Sequence, residues 1–312
     1  MNPSHPKHWE EAMSFLSKGD FKSAISEFEK LVKDQSPESI RYHHWALGNM
    51  GVAYARLGQF DKSIISWDRA ADASLNLGLQ YEAIEVLNRA LQIAMSSGGD
   101  VGSIYDKMNK IWGLIEHPSK RRSAGSIMAK TMLEMGDVEL AERTAIEALT
   151  IATGSQWPDK KDEMAIRRSL VSIHLRKAKY QDAVQQCEVA LSCAKYLGDL
   201  EAEGGIKGSL GIAYRYLDRY EKAVEQYLAA IDIFERFKDY NAIGTNLMNL
   251  ASSYFLLKRV KDGRETALEA LSIFDSLNAT GLANRVLLML SYELSMDQLN
   301  PSIRARIKDL ES

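Results

Sequence analysis

The stretch GVAYARLGQFDKSIISW, Gly51 to Trp67, is written a second time as GIAYRYLDRYEKAVEQY, Gly211 to Tyr227. Each copy opens on Gly, runs through Ala-Tyr and Leu to a turn, and then gives an aromatic, an acid–Lys pair and a closing aromatic. The turn at the centre of each copy recurs at Gly19, Gly58, Gly98, Gly136, Ala178, Asp218 and Lys258, with spacings of 39, 40, 38, 42, 40 and 40 residues. A period near 40 held over seven markers is the signature of a repeat array, and the two quoted copies stand four periods apart.

Within each unit the apolar period is that of a helix. Leu47, Met50, Val52 or Ala53, Tyr54 and Leu57 form one stripe before the turn, and Ile64, Ile65, Trp67, Ala70 and Ala71 form another after it. No segment alternates in the manner of a strand. The reading is helix–turn–helix throughout, an all-α chain. Small residues recur at fixed places: Gly51, Ala129, Val171, Gly211 and Ala251 in the first helix, and Ala24, Ser63, Ala141, Ala183, Ala223 and Gly263 in the second. They let paired helix axes approach closely, and a large side chain there overpacks at about 1–3 kcal/mol. Phe21, Phe60, Tyr180 and Tyr220 follow the turns and are expected to plug the gap between neighbouring pairs. Gly204, Gly205, Gly208 and Gly211 crowd one helix, where each Gly costs up to about 1 kcal/mol against Ala; close packing or a bound ligand must offset that. Pro6 and Pro118 read as joints between helices.

This pattern resembles the tetratricopeptide repeat. Gly51, Tyr54, Gly58, Phe60, Ser63, Trp67 and Ala70 match it, as do Gly211, Tyr214, Tyr220, Ala223, Tyr227 and Ala230. The unit at 79–117 is degenerate, since IYDKMNKIWGLIE lacks the Ala pair. The resemblance implies a right-handed superhelical solenoid over 1–312, one continuous domain. Its repeats are expected near 5–37, 42–78, 79–117, 122–156, 160–199, 200–239 and 240–279, with 280–312 as a C-terminal cap opened by Pro301. The usual member has 34 residues per repeat; six more add about 9 Å of helix. The long form is similar to kinesin light chain, Pins-type adaptors and Rap-type regulators.

Composition narrows the function. The 312 residues are 46% hydrophobic and 26% charged, with a net charge of -3, which gives no general pull toward nucleic acid or anionic membrane. No apolar run reaches the roughly 20 residues needed to span a bilayer. The N-terminal stretch lacks the basic and apolar regions of a signal peptide. Two cysteines, Cys187 and Cys193, fit a reducing, cytoplasmic compartment. Cys187 stands where Trp67 and Tyr227 stand and reads as a small buried hydrophobe.

Catalytic signatures are absent. GGIKGSLG at 204–211 lacks the order of a phosphate loop and has no strand before it. His5, His8, His43 and His44 invite a metal reading, but no cysteine or well-spaced carboxylate completes a set in the sequence, so neither cofactor nor metal is expected. His174 takes the place of Tyr54, Tyr214 and Tyr254 and reads as a core ring. Between 117 and 180, twelve basic residues face eight acidic ones. That is either a solvated helix face or an anion-facing groove, and without interleaved aromatics it does not suit nucleic acid.

In the resembling family the first helices line the inner wall of the solenoid. Carried over residue by residue, the inward positions are Trp45, Gly48, Asn49, Val52 and Arg56; Asn88 and Gln92; Ser126 and Lys130; Arg168, Ser172 and Arg176; Gly208, Ser209, Ile212 and Arg215; and Met248, Asn249 and Ser252. The residues expected to bind a peptide are Asn49, Arg56, Lys130, Arg168, Ser172, Arg176, Ser209, Arg215, Asn249 and Ser252. Asn49 and Asn249 hold the place where Pins-type members grip a peptide backbone with an amide that both donates and accepts. Arg168, Arg176 and Arg215 are expected to clamp carboxylates on an acidic partner. The chaperone-tail clamp of the family needs Lys and Asn where this chain has Trp9 and Met13, which argues against that ligand. Trp45 reads as core between repeats rather than as a groove anchor. The leading function is a non-enzymatic adaptor for a protein or peptide partner. The alternatives are a ligand-gated regulator hinged at the third and sixth repeats, and a scaffold that self-associates through its end helices.

Overall fold

The computed structural model describes residues 5–154 and 159–311. The end of the fourth expected repeat, at 156, lies outside them. Among the described residues the secondary structure is helical, with no strand. The chain divides into two compact units, 1–152 and 153–312.

The first unit holds α1 (Lys7–Ser17), α2 (Phe21–Lys33), the single turn α3 (Pro37–Ile40), α4 (His43–Arg56), α5 (Phe60–Asn76), α6 (Gln80–Ser97), α7 (Val101–Gly113), α8 (Pro118–Met135) and all but the last two residues of α9 (Val138–Gly154). The second holds α10 (Lys160–Arg176), α11 (Tyr180–Leu197), α12 (Leu200–Tyr216), α13 (Tyr220–Phe237), α14 (Tyr240–Leu256), α15 (Val260–Ser276), α16 (Thr280–Glu293), a 3-10 turn (Met296–Gln298) and α17 (Pro301–Glu311). Seven helix pairs result among the described residues, and each marker turn lies between the two helices of its pair. Pro118 and Pro301 open their helices, where the missing N–H costs nothing.

Helices begin and end for local reasons. Asp20, Asp100, Asp199 and Asp239 each precede a helix and accept a backbone N–H from its first turn. A carboxylate there also meets the positive end of the helix dipole. Left-handed residues end the helices. Between Ala178 and Asn278 one falls every 20 residues, at Ala178, Gly198, Asp218, Lys238, Lys258 and Asn278. The turn between pairs therefore has the same form as the turn within a pair, a regularity that a period of 40 leaves hidden.

The small positions do what their recurrence implies. A Cβ added to Gly51 would lie 2.5 Å from the Trp67 indole, and one on Gly211 2.6 Å from the Tyr227 ring. Trp67 and Tyr227 are both buried against these glycines. In the fifth repeat, Val171 occupies the glycine position and Cys187 the aromatic one, so a larger residue on one helix is met by a smaller one on its mate. Burial pushes the Cys187 thiol up to about 12. His174 is likewise buried.

The last helix closes the second unit's core. Ile303 and Ile307 of α17 are buried in one cluster with Phe274, Leu287 and Leu290, each such side chain contributing about 1.5–3 kcal/mol. Arg306 donates from both terminal nitrogens to Asp275 of α15, at 2.8 Å each.

Three expectations need correction. Trp45 is 52% exposed rather than core. It lies against Trp9, Tyr42 and His44, because the core side of α4 is filled by Ala46, Leu47 and Met50. Phe60 is also exposed and plugs no gap, whereas Tyr180 stacks on Tyr216 with centroids 4.7 Å apart. Met248 points into the core rather than inward to a groove.

Candidate peptide-binding groove

The four glycines of α12 divide by face. Gly204 and Gly211 turn toward α13: a Cβ on Gly204 would meet Ile233 and Phe234 at 3.0 Å, and Gly211 lies under Tyr227. Gly205 and Gly208 turn toward the neighbouring first helices. A Cβ on Gly208 would sit 2.8 Å from Asn246 Oδ1 of α14, and one on Gly205 would sit 3.7 Å from Arg168 Nη2 of α10. With no side chains at 205 and 208, α12 and α14 enclose an open groove of about 340 Å³.

One wall is the glycine face of α12 with Ser209 and Ile212; Phe234 of α13 lies beneath. The opposite wall is a row of amides and hydroxyls on α14, namely Asn241, Thr245, Asn246 and Asn249. Asn241, Thr245 and Asn249 follow one another at four-residue steps, so they form a ladder along one helical stripe. The Thr245 hydroxyl donates to the Asn241 carbonyl at 2.9 Å, and the Ser209 hydroxyl donates to the Gly205 carbonyl at 3.1 Å. Each keeps its lone pairs for an outside donor. Asn246 is 7% exposed and donates to the Ala242 carbonyl at 2.8 Å. The side-chain amides of Asn241 and Asn249 make no hydrogen bond among the described residues. Each offers one acceptor and two donor hydrogens, the complement of a peptide group.

The expected site residues distribute unevenly. Ser209 and Asn249 line the groove; Ser252 lies one turn beyond it on α14 and is half-buried. Arg168 reaches the rim beside Gly205, is exposed, and has no carboxylate partner among the described residues. Ser172, one turn along α10, donates to the Arg168 carbonyl at 3.2 Å. Arg176, in the last turn of α10, is exposed and outside the groove lining. Arg215 is half-buried and also outside it, with its guanidinium 4.6 Å over the Tyr216 ring. The structure thus brings one of the three arginines to this groove. In the first unit, the Asn49 amide donates to the Trp45 carbonyl at 3.0 Å, Arg56 is exposed in the last turn of α4, and Lys130 lies 3.8 Å from Glu134.

Much of the basic stretch resolves into ion pairs. Arg121 meets Glu147 at 2.8 Å. Lys160 and Arg167 both grip the buried Glu163, at 2.8 and 2.9 Å. Burial alone would raise the Glu163 pKa, yet these two partners hold it below the ordinary carboxylate value.

Asn241, Thr245 and Asn246 are not among the residues that the sequence singles out, although the four-residue spacing of the ladder is legible there. What marks α14 is the bare face of α12 opposite, and that contact joins residues about 40 apart.

Two models of the tetratricopeptide repeat match the chain, over residues 10–76 and 206–236, one stretch in each unit. Solved structures of helix-pair repeat proteins share the fold. The apo form of RapI superposes with a TM-score of 0.65 at 13% identity, over 94% of this chain and 82% of that one. A Rap protein in complex with Competence and Sporulation Factor gives 0.62 at 12% identity, over 97% and 85%. A tetratricopeptide repeat protein from Parabacteroides merdae gives 0.57 at 14% identity, over 90% and 98%. No curated protein matches the sequence. The matched stretches are tetratricopeptide repeats, and the all-α fold of paired helices is one typically used for protein interaction rather than catalysis. Among the described residues no helix is long and apolar enough to cross a membrane.

Proposed function

We propose that the chain is a non-catalytic adaptor that takes an extended peptide segment of a protein partner into the groove between α12 and α14. The observation that carries this reading is the pairing of a bare glycine wall with a ladder in which the Asn241 and Asn249 amides flank the Thr245 hydroxyl. A peptide backbone needs close approach on one side and alternating donors and acceptors on the other, and the groove supplies both. Its walls are uncharged, with Arg168 as the cation at the rim, so the reading favours a polar segment carrying one acidic group over a uniformly acidic one. Two buried, free thiols support a reducing, cytoplasmic setting.

Short linear peptides selected from a phage-displayed library against the whole chain would test this. The expected result is that Asn249→Ala and Thr245→Val each weaken a selected peptide about tenfold, near 1.4 kcal/mol, with melting temperature unchanged, while Asn49→Ala leaves binding intact. Equal affinity for all three variants would overturn the proposal. A ligand-gated hinge at α12 gains no support, because Gly204 and Gly211 are tightly packed against α13 rather than slack.

A further inference from the structure

His8 and Glu11 lie three residues apart on α1 and so share a face. Glu27 approaches them from α2, the other helix of the first pair. His8 Nδ1 stands 2.8 Å from Glu27 Oε2 and 3.9 Å from Glu11 Oε2, and the three donor groups all lie within 4.8 Å of one another. The orientation of the carboxylates is specific. Lys30 takes Glu27 Oε1, and Lys7 lies 3.7 Å from Glu11 Oε1. Each lysine thus holds the outer oxygen of one carboxylate, and both inner oxygens converge on the imidazole nitrogen. The Glu27 side chain is only 12% exposed, so its inner oxygen is fixed in place, while Glu11, at 43%, has room to close in.

We propose that His8, Glu11 and Glu27 bind a divalent transition-metal ion of the zinc class. The donor set is one imidazole nitrogen and two carboxylate oxygens, which suits zinc and its neighbours; calcium and magnesium ask for more oxygens. Bonds of about 2.0–2.2 Å are within reach of these atoms after a small rotation of Glu11. Three protein ligands leave a further position for water. The ion would staple α1 to α2 at a point where Trp9, next to His8, packs against Phe28, next to Glu27, with ring centroids 5.8 Å apart. The sequence shows no carboxylate that completes a set around the histidines. Glu11 is adjacent on the helix, but Glu27 arrives only when the helices pair.

The competing arrangement is a metal-free network of hydrogen bonds and ion pairs around His8, and Lys30 separates the two. In a network Lys30 is a partner; in a metal site it is a competitor for Glu27. Tag-free protein, stripped with chelator, would be titrated with zinc chloride by calorimetry. We expect one zinc per chain, loss of that site in His8→Ala and in Glu27→Gln, and several-fold tighter binding in Lys30→Met. The melting temperature should rise with zinc in the parent and stay flat in His8→Ala, since an ion that binds only the folded state stabilises it. No saturable zinc binding by the parent, or unchanged stoichiometry and affinity in His8→Ala, would overturn the proposal. Circular dichroism of each variant without zinc reports folding independently.

Discussion

The sixth and seventh repeats fill the same interhelical space from opposite sides. In the sixth, the ring comes from the second helix: Tyr227 of α13 lies over Gly211 of α12. In the seventh it comes from the first helix: Phe255 of α14 lies over Gly263 of α15, whose added Cβ would sit 2.8 Å from the ring. At the positions of Gly211 and Tyr227 the seventh repeat has Ala251 and Ala267; at those of Phe255 and Gly263 the sixth has Arg215 and Ala223. These two pairs each keep one ring and one glycine, and the helix that carries each is exchanged. What repeats along this chain is therefore a shape shared by two helices, because a close-packed interior constrains total volume more tightly than the identity of any one side chain.

Removing either ring should produce the largest effect. Tyr227→Ala and Phe255→Ala are each expected to lower stability by about 3–5 kcal/mol through the cavity left behind, measured as a shift in the urea midpoint. A loss under about 1 kcal/mol at either site would show that the two rings are not equivalent fillers.

Next comes the glycine. Gly211→Ala should cost about 1–3 kcal/mol by driving a methyl group into Tyr227. Most of that cost should vanish in the Tyr227→Ala background, where the methyl has room. Additive losses in this double-mutant cycle would break the ring-over-glycine account.

Alkaline titration sharpens the contrast. Burial pushes the Tyr227 hydroxyl from its ordinary value of 10.0 up to about 12, although the nearby Arg215 charge pulls the other way. The folded state thus holds this proton more tightly than the unfolded state. Its contribution is fully present below pH 10 and declines as pH rises toward 12. The seventh repeat has a phenylalanine in this role and nothing to titrate. Tyr227→Phe should therefore flatten the fall in stability across that window, and Phe255→Tyr should steepen it.

The smallest effect lies in the turns. Asp218 and Lys258 end the first helices of the two repeats with φ of 57° and 60°. The left-handed conformation costs an ordinary side chain about 1–2 kcal/mol, and Asp tolerates it better than Lys. Lys258→Gly should raise the thermal midpoint by the equivalent of about 1 kcal/mol, and Asp218→Gly by less. Equal gains would show that the aspartate has no local advantage there.

Much of this architecture is legible in the order of the residues alone. The seven marker turns fall where the chain reverses, at glycine or at residues forced into glycine's conformation. The Gly51–Trp67 and Gly211–Tyr227 pairs are visible as a repeated outline, and their contact follows from it. The exposed Trp45 is not legible in this way, because helical periodicity marks an apolar residue without saying whether another element covers it. Nor is the scattering of Arg168, Arg176 and Arg215, which share a charge while the Arg215 guanidinium lies over Tyr216.

By itself the sequence determined the period, the helix-pair unit and the places where helices must approach closely. Those follow from local sterics and from spacing along one chain. Only the tertiary structure decided that Gly205 and Gly208 lie bare opposite Asn241, Thr245 and Asn249, and that Glu27 comes to stand beside His8. Both are meetings of separate helices, and their chemistry depends on which faces are turned together once the pairs have packed.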